Sequence, residues 1–268
     1  MSKTLSRALH GGSFETSPKR KDGEVSKAPL DAKTEANLPI RETGTAVAFN
    51  YLRLGVAGHL LCSTSRGGAR NRADRTSDAL TKAQIANLMA AESHSRAIGL
   101  PFTRMITIHW QAAGVALGEM VKATGRFLDL LTKALARHKS KTAWLWTLEN
   151  GDRKGGHCHL LVHVPAALVS VLTRLQKGWL RRITGKAYRS RVIHSKPIGG
   201  RLGIEAGNPE LHAANLADAL GYVLKGVNPE AATKFGLSRF EPGGHIIGKR
   251  CATSQNIGAK ARKSKDRI

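Results

Sequence analysis

Two histidines separated by one residue, His157 and His159, stand at the head of the apolar run Leu160-Leu-Val-His163-Val-Pro165. Side chains alternate along a strand, so the two imidazoles point to one face and Cys158 to the other. At about 3.3 Å of rise per residue their Cβ atoms lie roughly 7 Å apart, a span that one divalent ion can bridge. Upstream, Trp144-Leu-Trp-Thr-Leu-Glu149 gives way to a glycine- and charge-rich stretch, which predicts an antiparallel hairpin with a long mobile loop from Asn150 to Gly156. Such a hairpin returns Glu149 to the side of His157. One carboxylate and two imidazoles then form a mixed oxygen and nitrogen donor set, suited to a cation that polarises a phosphate and leaves positions open for substrate. His163 shares the parity but lies about 13 Å from His159 by the same rise, which makes it a spectator.

A second chemical element lies downstream, between Asn208 and Gly226. Asn208 as N-cap, Pro209 at the first helical position, Glu210 in the first turn and Gly226 as terminator frame a helix. At about 100° per residue, Leu216, Leu220, Val223 and Leu224 gather on one side. Asn215, Asp218, Tyr222 and Lys225 fall on the other, which makes Tyr222 and Lys225 neighbours on a polar face. A phenol titrates near 10 and is a weak nucleophile at neutral pH. A metal that makes phosphorus more electrophilic and an ammonium that favours the phenolate would both assist it. Either motif alone is common in packing or on solvated helices. Their order and company carry more.

The His-hydrophobic-His pair, an upstream Glu149 and a downstream Tyr222-x-x-Lys225 resemble the HUH endonucleases, specifically the single-tyrosine rolling-circle replication initiators. The strand Phe102-Thr-Arg-Met-Ile-Thr-Ile-His109-Trp110 is similar to that family's first motif in position and character. The resemblance covers about residues 100–228. It implies Mg²⁺ or Mn²⁺ held by His157, His159 and Glu149, with Tyr222 attacking DNA and Lys225 nearby. It also implies, as partner, single-stranded or locally melted DNA at an origin or hairpin. Cys158 at the hydrophobic position departs from the pattern but packs as a small apolar residue. No Gly-x-x-x-x-Gly-Lys-Ser/Thr phosphate loop occurs, so an initiator of this kind would depend on a host helicase. The residues themselves leave two alternatives open: a phosphoesterase in which water attacks, and a non-catalytic basic nucleic-acid binder.

Composition favours a polyanion partner. The 268 residues carry a net charge of +24, and each Lys or Arg that neutralises a phosphate releases counterions. Lys249 and Arg250, within a stretch of small hydroxyl and amide donors, and Arg104 on the first strand are the candidate DNA contacts. Aromatic residues make up only 5%, so stacking on exposed rings is not expected to dominate binding. Three widely spaced cysteines suggest neither a disulfide framework nor a Cys-x-x-Cys zinc site. With no apolar run approaching 18 residues and no leading signal segment visible, the expectation is a cytoplasmic protein, nucleoid- or plasmid-associated, without a membrane partner.

The elements that must position these residues follow from periodicity. A strand from Phe102, a helix within 117–138, the hairpin, a helix over 166–183, a strand near 188–195 and the Tyr222 helix predict an α+β fold. The expected architecture is an antiparallel sheet with helices packed on one side, an HUH or palm-like nuclease core with basic, partly disordered ends. Residues 1–95 read as a largely disordered basic region with short helices, one over 78–97. Arg66, Arg70, Arg72 and Arg75 there form a basic patch able to track a phosphate backbone. Residues 96–228 read as the nuclease-like domain and 229–268 as a basic tail.

Overall fold

The computed structural model describes residues 75–152 and 154–265. The expectations for residues 1–74 lie outside this span. The chain runs through β1 (Thr76–Ser77), α1 (Lys82–Ala97), β2 (Arg104–Ile108), α2 (Met120–Arg137), β3 (Trp144–Gly151), β4 (Gly155–Val162) and α3 (Val169–Thr184). It continues with β5 (Ile193–Pro197), α4 (Ile204–Gly207), α5 (Pro209–Val223), α6 (Pro229–Lys234), β6 (Ile246–Ile247), β7 (Cys251–Thr253) and α7 (Ala259–Lys265). The class is α+β, around a five-stranded antiparallel sheet of order β5-β2-β4-β3-β7.

Period-two alternation within β2, β3 and β4 gives the sheet two different faces. Ile106, Ile108, Trp146, Leu148, Cys158, Leu160 and Val162 point to one face, where Phe127, Leu128 and Leu131 of α2 and Leu172, Trp179 and Leu180 of α3 cover them. Leu145 and Leu161 point to the other, beneath Ile85, Leu88 and Ala91 of α1 and Leu216, Leu220 and Val223 of α5. Helices therefore cover both faces of the sheet, not one. One face is apolar almost throughout and the other is apolar at the end that bears Leu145 and Leu161, and each apolar area needs its own cover.

The packed unit also extends past both expected boundaries. α1 opens on Thr81, whose side chain caps Gln84 while Gln84 returns the bond to the Thr81 amide, a capping box that sets the helix start ahead of residue 95. At the other end, Cys251–Thr253 is no tail, because it adds the fifth strand beside β3. Arg250 explains how that segment is held. It is 1% exposed, and its guanidinium donates to Ser77 Oγ at 2.9 Å and to the carbonyls of Gly243 at 3.3 Å, Leu148 at 3.4 Å, Ser77 and Gly244. It is thus a strut between β3, β1 and the strand-forming C-terminal segment, and no donor is left for a phosphate. Arg250→Met should cost about 3 kcal/mol in a urea-unfolding measurement, because several buried carbonyls lose their donor at once. A loss within experimental error would remove the strut.

The hairpin corrects another expectation. Pairing runs from Trp144↔Val162 to Gly151↔Gly155, so the strands continue into the predicted loop as far as Gly151 and Gly155. Gly155 sits at φ 60, a backbone open to glycine at little cost, and a Cβ there would meet Gln111 Oε1 at 2.2 Å. The glycines that resemble loop composition are what let the ladder approach its neighbours.

Candidate metal centre and tyrosine site

The register of β3 and β4 places Glu149 directly opposite His157 and Thr147 opposite His159. All four share the α5 side of the sheet by parity. Glu149, His157 and His159 are 3%, 3% and 1% exposed, and their donor atoms lie within 4.8 Å of one another. Hydrogen bonds behind the rings orient them. His157 Nδ1 lies 2.7 Å from the Gly155 carbonyl; a carbonyl only accepts, so Nδ1 carries the proton and the Nε2 lone pair faces the cluster. His159 Nδ1 lies 3.1 Å from Thr107 Oγ1 on β2.

Two buried side-chain atoms among the described residues have no hydrogen-bond partner, Glu149 Oε1 and His159 Nε2. Unsatisfied buried groups are costly and rare, and both of these are donor atoms of one three-residue group. Glu149 Oε2 is 3.4 Å from His157 Nε2 and 3.5 Å from His159 Nε2, too long for a strong hydrogen bond and close enough for a shared ligand. The group can hold a divalent cation.

Tyr222, in the last turn of α5, comes to the same place. Its ring centroid is 5.0 Å from that of His159, at 74°. Thr147 Oγ1 donates to the Val223 carbonyl at 3.0 Å, which ties that turn to β3. Lys225 departs from the helical-face expectation, since α5 ends at Val223. Beyond it the chain turns inward, Lys225 is 5% exposed, and its Nζ donates to Glu149 Oε2 at 2.6 Å and Glu241 Oε2 at 2.8 Å. The same ammonium lies 5.3 Å from the Tyr222 ring centroid. It touches the tyrosine, but its hydrogen bonds belong to the carboxylates.

Charge follows from these contacts. Burial alone would push the Glu149 carboxyl up, but His157, His159 and Lys225 outweigh it and hold it well below the usual carboxylate range. Burial pushes the His159 imidazole down despite Glu149. His109 falls to about 4, first through burial and then through His157 and His194. Burial also drives the Cys158 thiol up to about 12, which makes it an inert packing group on the opposite face. His159 and His109 take up a proton less readily folded than unfolded, where imidazoles titrate near 6.5. The metal-free protein should therefore lose stability as pH falls through about 6.5 toward 4, with the Glu149 contribution lost further below its ordinary range. Thermal melts between about pH 7 and pH 4.5 read this, and an unchanged midpoint across that window would contradict it.

No protein-family model matches this chain, and neither curated proteins nor solved structures give a match.

Of the remaining candidates, Lys249 is exposed on the β7 flank. Arg104 has the parity of Ile106 and so faces away from the cluster; it is 6% exposed and donates to Ser195 Oγ at 3.1 Å and the Ser195 carbonyl at 2.9 Å. It braces β2 against β5. His163 Nδ1 lies 2.7 Å from the Pro101 carbonyl, a structural contact in keeping with its distance from the cluster. The residues that periodicity alone did not single out are Thr107, His109, His194 and Glu241. Parity along β2 places His109 with Thr107, but only the pairing of β2 with β4 and β5 brings them beside His157 and His194. Glu241 lies outside any helix or strand, with no periodic signal.

Proposed function

We propose that this chain is a metal-dependent DNA nicking and strand-joining enzyme of the HUH type, which initiates rolling-circle replication of a plasmid, phage or mobile element. The observation that carries the reading is the convergence of a phenol and an imidazole–carboxylate cluster from separate elements, with the Tyr222 and His159 ring centroids 5.0 Å apart. A Mg²⁺ or Mn²⁺ ion held by Glu149, His157 and His159 would supply Lewis-acid polarisation of a phosphate oxygen. The rest is the work of the chain. The Tyr222 oxygen bonds to phosphorus as the P–O3′ bond breaks; the phenolic proton leaves and the departing 3′ oxygen takes one up. The product is a 5′-phosphotyrosine and a free 3′ hydroxyl. Attack by a 3′ hydroxyl reverses the step and joins strands without an external energy source. Lys225 holds Glu149 in place, and its ammonium lies beside the Tyr222 ring.

The test is a 3′-labelled pool of single-stranded oligonucleotides incubated with protein and Mn²⁺, then resolved under denaturing conditions. Label that migrates with the protein after boiling in detergent supports the reading. Cleavage to free 5′-phosphate ends supports water as nucleophile instead, and binding without cleavage leaves a nucleic-acid binder. Among the described residues no helix is long and apolar enough to cross a membrane.

A further inference from the structure

A row of imidazoles leads away from the metal cluster. The His109 ring lies 5.5 Å from that of His157, and the His194 ring 5.6 Å from that of His109. Thr107 pairs with His159 on one side and His194 on the other, so the row crosses from β4 over β2 to the edge strand β5. His194 and Lys196 share its outward face and are exposed. The segment entering β5 brings Arg189, whose Nη1 donates to the Ala112 carbonyl at 3.3 Å, and Lys186, whose Nζ donates to the Gly114 carbonyl at 3.1 Å. Both cations are thereby held beside the turn that follows His109. Exposed Arg191 lies between them and the strand. A cavity of about 300 Å³ opens there, lined by Ala113, Gly114, Lys186, Tyr188 and Arg189 among others.

The charge on this flank is unbalanced. No acidic residue occurs between Asp152 and Glu205, and among the described residues none of these cations takes part in an ion pair. The opposite flank differs, because Lys225 there is bracketed by Glu149 and Glu241. A cationic strip whose charges no ion pair takes up attracts and follows a phosphate backbone. Imidazole and phenol rings spaced along it offer faces and donors to bases.

We propose that the His109–His194 row and the 186–196 segment form the track for the single-stranded DNA on one side of the scissile phosphate, with the Tyr188 cavity receiving a base. This rests on the nicking reading and adds where the substrate strand lies. A single strand fits because the cluster is almost fully covered, and a duplex with two backbones is too broad to bring a phosphate to it.

The experiment is fluorescence anisotropy with a labelled single-stranded oligonucleotide in EDTA, using the full chain. One variant combines Arg189→Ala, Arg191→Ala and Lys196→Ala. Its control combines Arg126→Ala, Lys133→Ala and Arg137→Ala on the outer face of α2, exposed residues on the far side of the sheet. The track variant should bind at least tenfold more weakly and lose about 2 from the slope of log K against log salt, at about 0.7 per phosphate contact. The control should stay within twofold. Equal weakening of both, no weakening of the track variant, or duplex bound by the unaltered protein as tightly as single strand would each overturn the proposal. Because binding is read without metal, it is separate from nicking: adduct formation with an unaffected track variant sinks the track alone, and absence of any adduct sinks the nicking reading and with it the strand's place beside a scissile phosphate, while a weakened track variant then still shows a single-strand binding surface.

Discussion

Tyr222→Phe is expected to reduce the covalent protein–DNA adduct at least about a thousandfold, since the variant keeps every part of the site except the phenolic oxygen that the proposed function makes the nucleophile. The ring contacts survive. Phenylalanine still packs edge-on against His159 and beneath the Lys225 ammonium, so the thermal midpoint, Mn²⁺ affinity and single-strand affinity should all stay close to those of the unaltered chain. That separation of effects gives the measurement its force. A gel assay with Mn²⁺ in excess and DNA above its dissociation constant reads the chemical step, and an adduct that persists in the variant would take the nucleophile away from Tyr222. If adduct falls but free 5′-phosphate continues to accumulate, water is an alternative attacker at the same cluster.

Lys225→Met should produce the second largest effect, on metal binding and stability together. The Lys225 ammonium is buried and held between Glu149 at 2.6 Å and Glu241 at 2.8 Å. Burial opposes its charge, but the two carboxylates outweigh burial and raise its pKa. That stabilisation is present throughout the neutral range and is lost only as pH rises past the raised value. Removing the ammonium leaves Glu149 as a buried carboxylate without a counter-charge, a change that typically costs about 3–5 kcal/mol. The lower end applies here, because the two histidines remain and Glu241 is on the rim. Losing the group that orients a ligand should also weaken Mn²⁺ binding about 10–100-fold. Calorimetric titration with Mn²⁺ and urea unfolding measure both. If Lys225 served only to tune the phenol, Mn²⁺ affinity and stability would be unchanged and only the adduct rate at saturating metal would fall.

The two experiments separate roles that the spacing Tyr222-x-x-Lys225 places side by side. On an ideal helix the pair are neighbours facing water. In the folded chain the helix stops between them, and the turn that follows is stitched by Leu80 N to the Gly226 carbonyl and by Glu241 N to the Lys225 carbonyl, both at 2.8 Å. Close backbone approach elsewhere in the same region depends on glycine as well: at Gly244, with φ 66, a Cβ would fall 1.8 Å from the Asn150 carbonyl oxygen. These contacts carry Lys225 inward to Glu149. The lysine thereby becomes part of the support of the Glu149–His157–His159 cluster.

What the amino-acid order by itself determined is whatever depends on near neighbours and period. Alternation along 157–162 sends His157 and His159 to one face, a two-stranded return brings Glu149 beside them, and Asn208 with Pro209 starts the helix that bears Tyr222. Each of these follows from local backbone geometry and is visible within a few residues. Tertiary structure decided the rest: that helices cover both faces, that α1 and β7 belong to the packed unit, that Arg104 and Arg250 brace backbone, and that the His109 ring lies beside His157 and the His194 ring beside His109. In sequence a cation destined for burial looks the same as one destined for phosphate, because the difference lies in which carbonyls surround it. Those carbonyls come from strands and turns far along the chain, brought together only when the sheet closes.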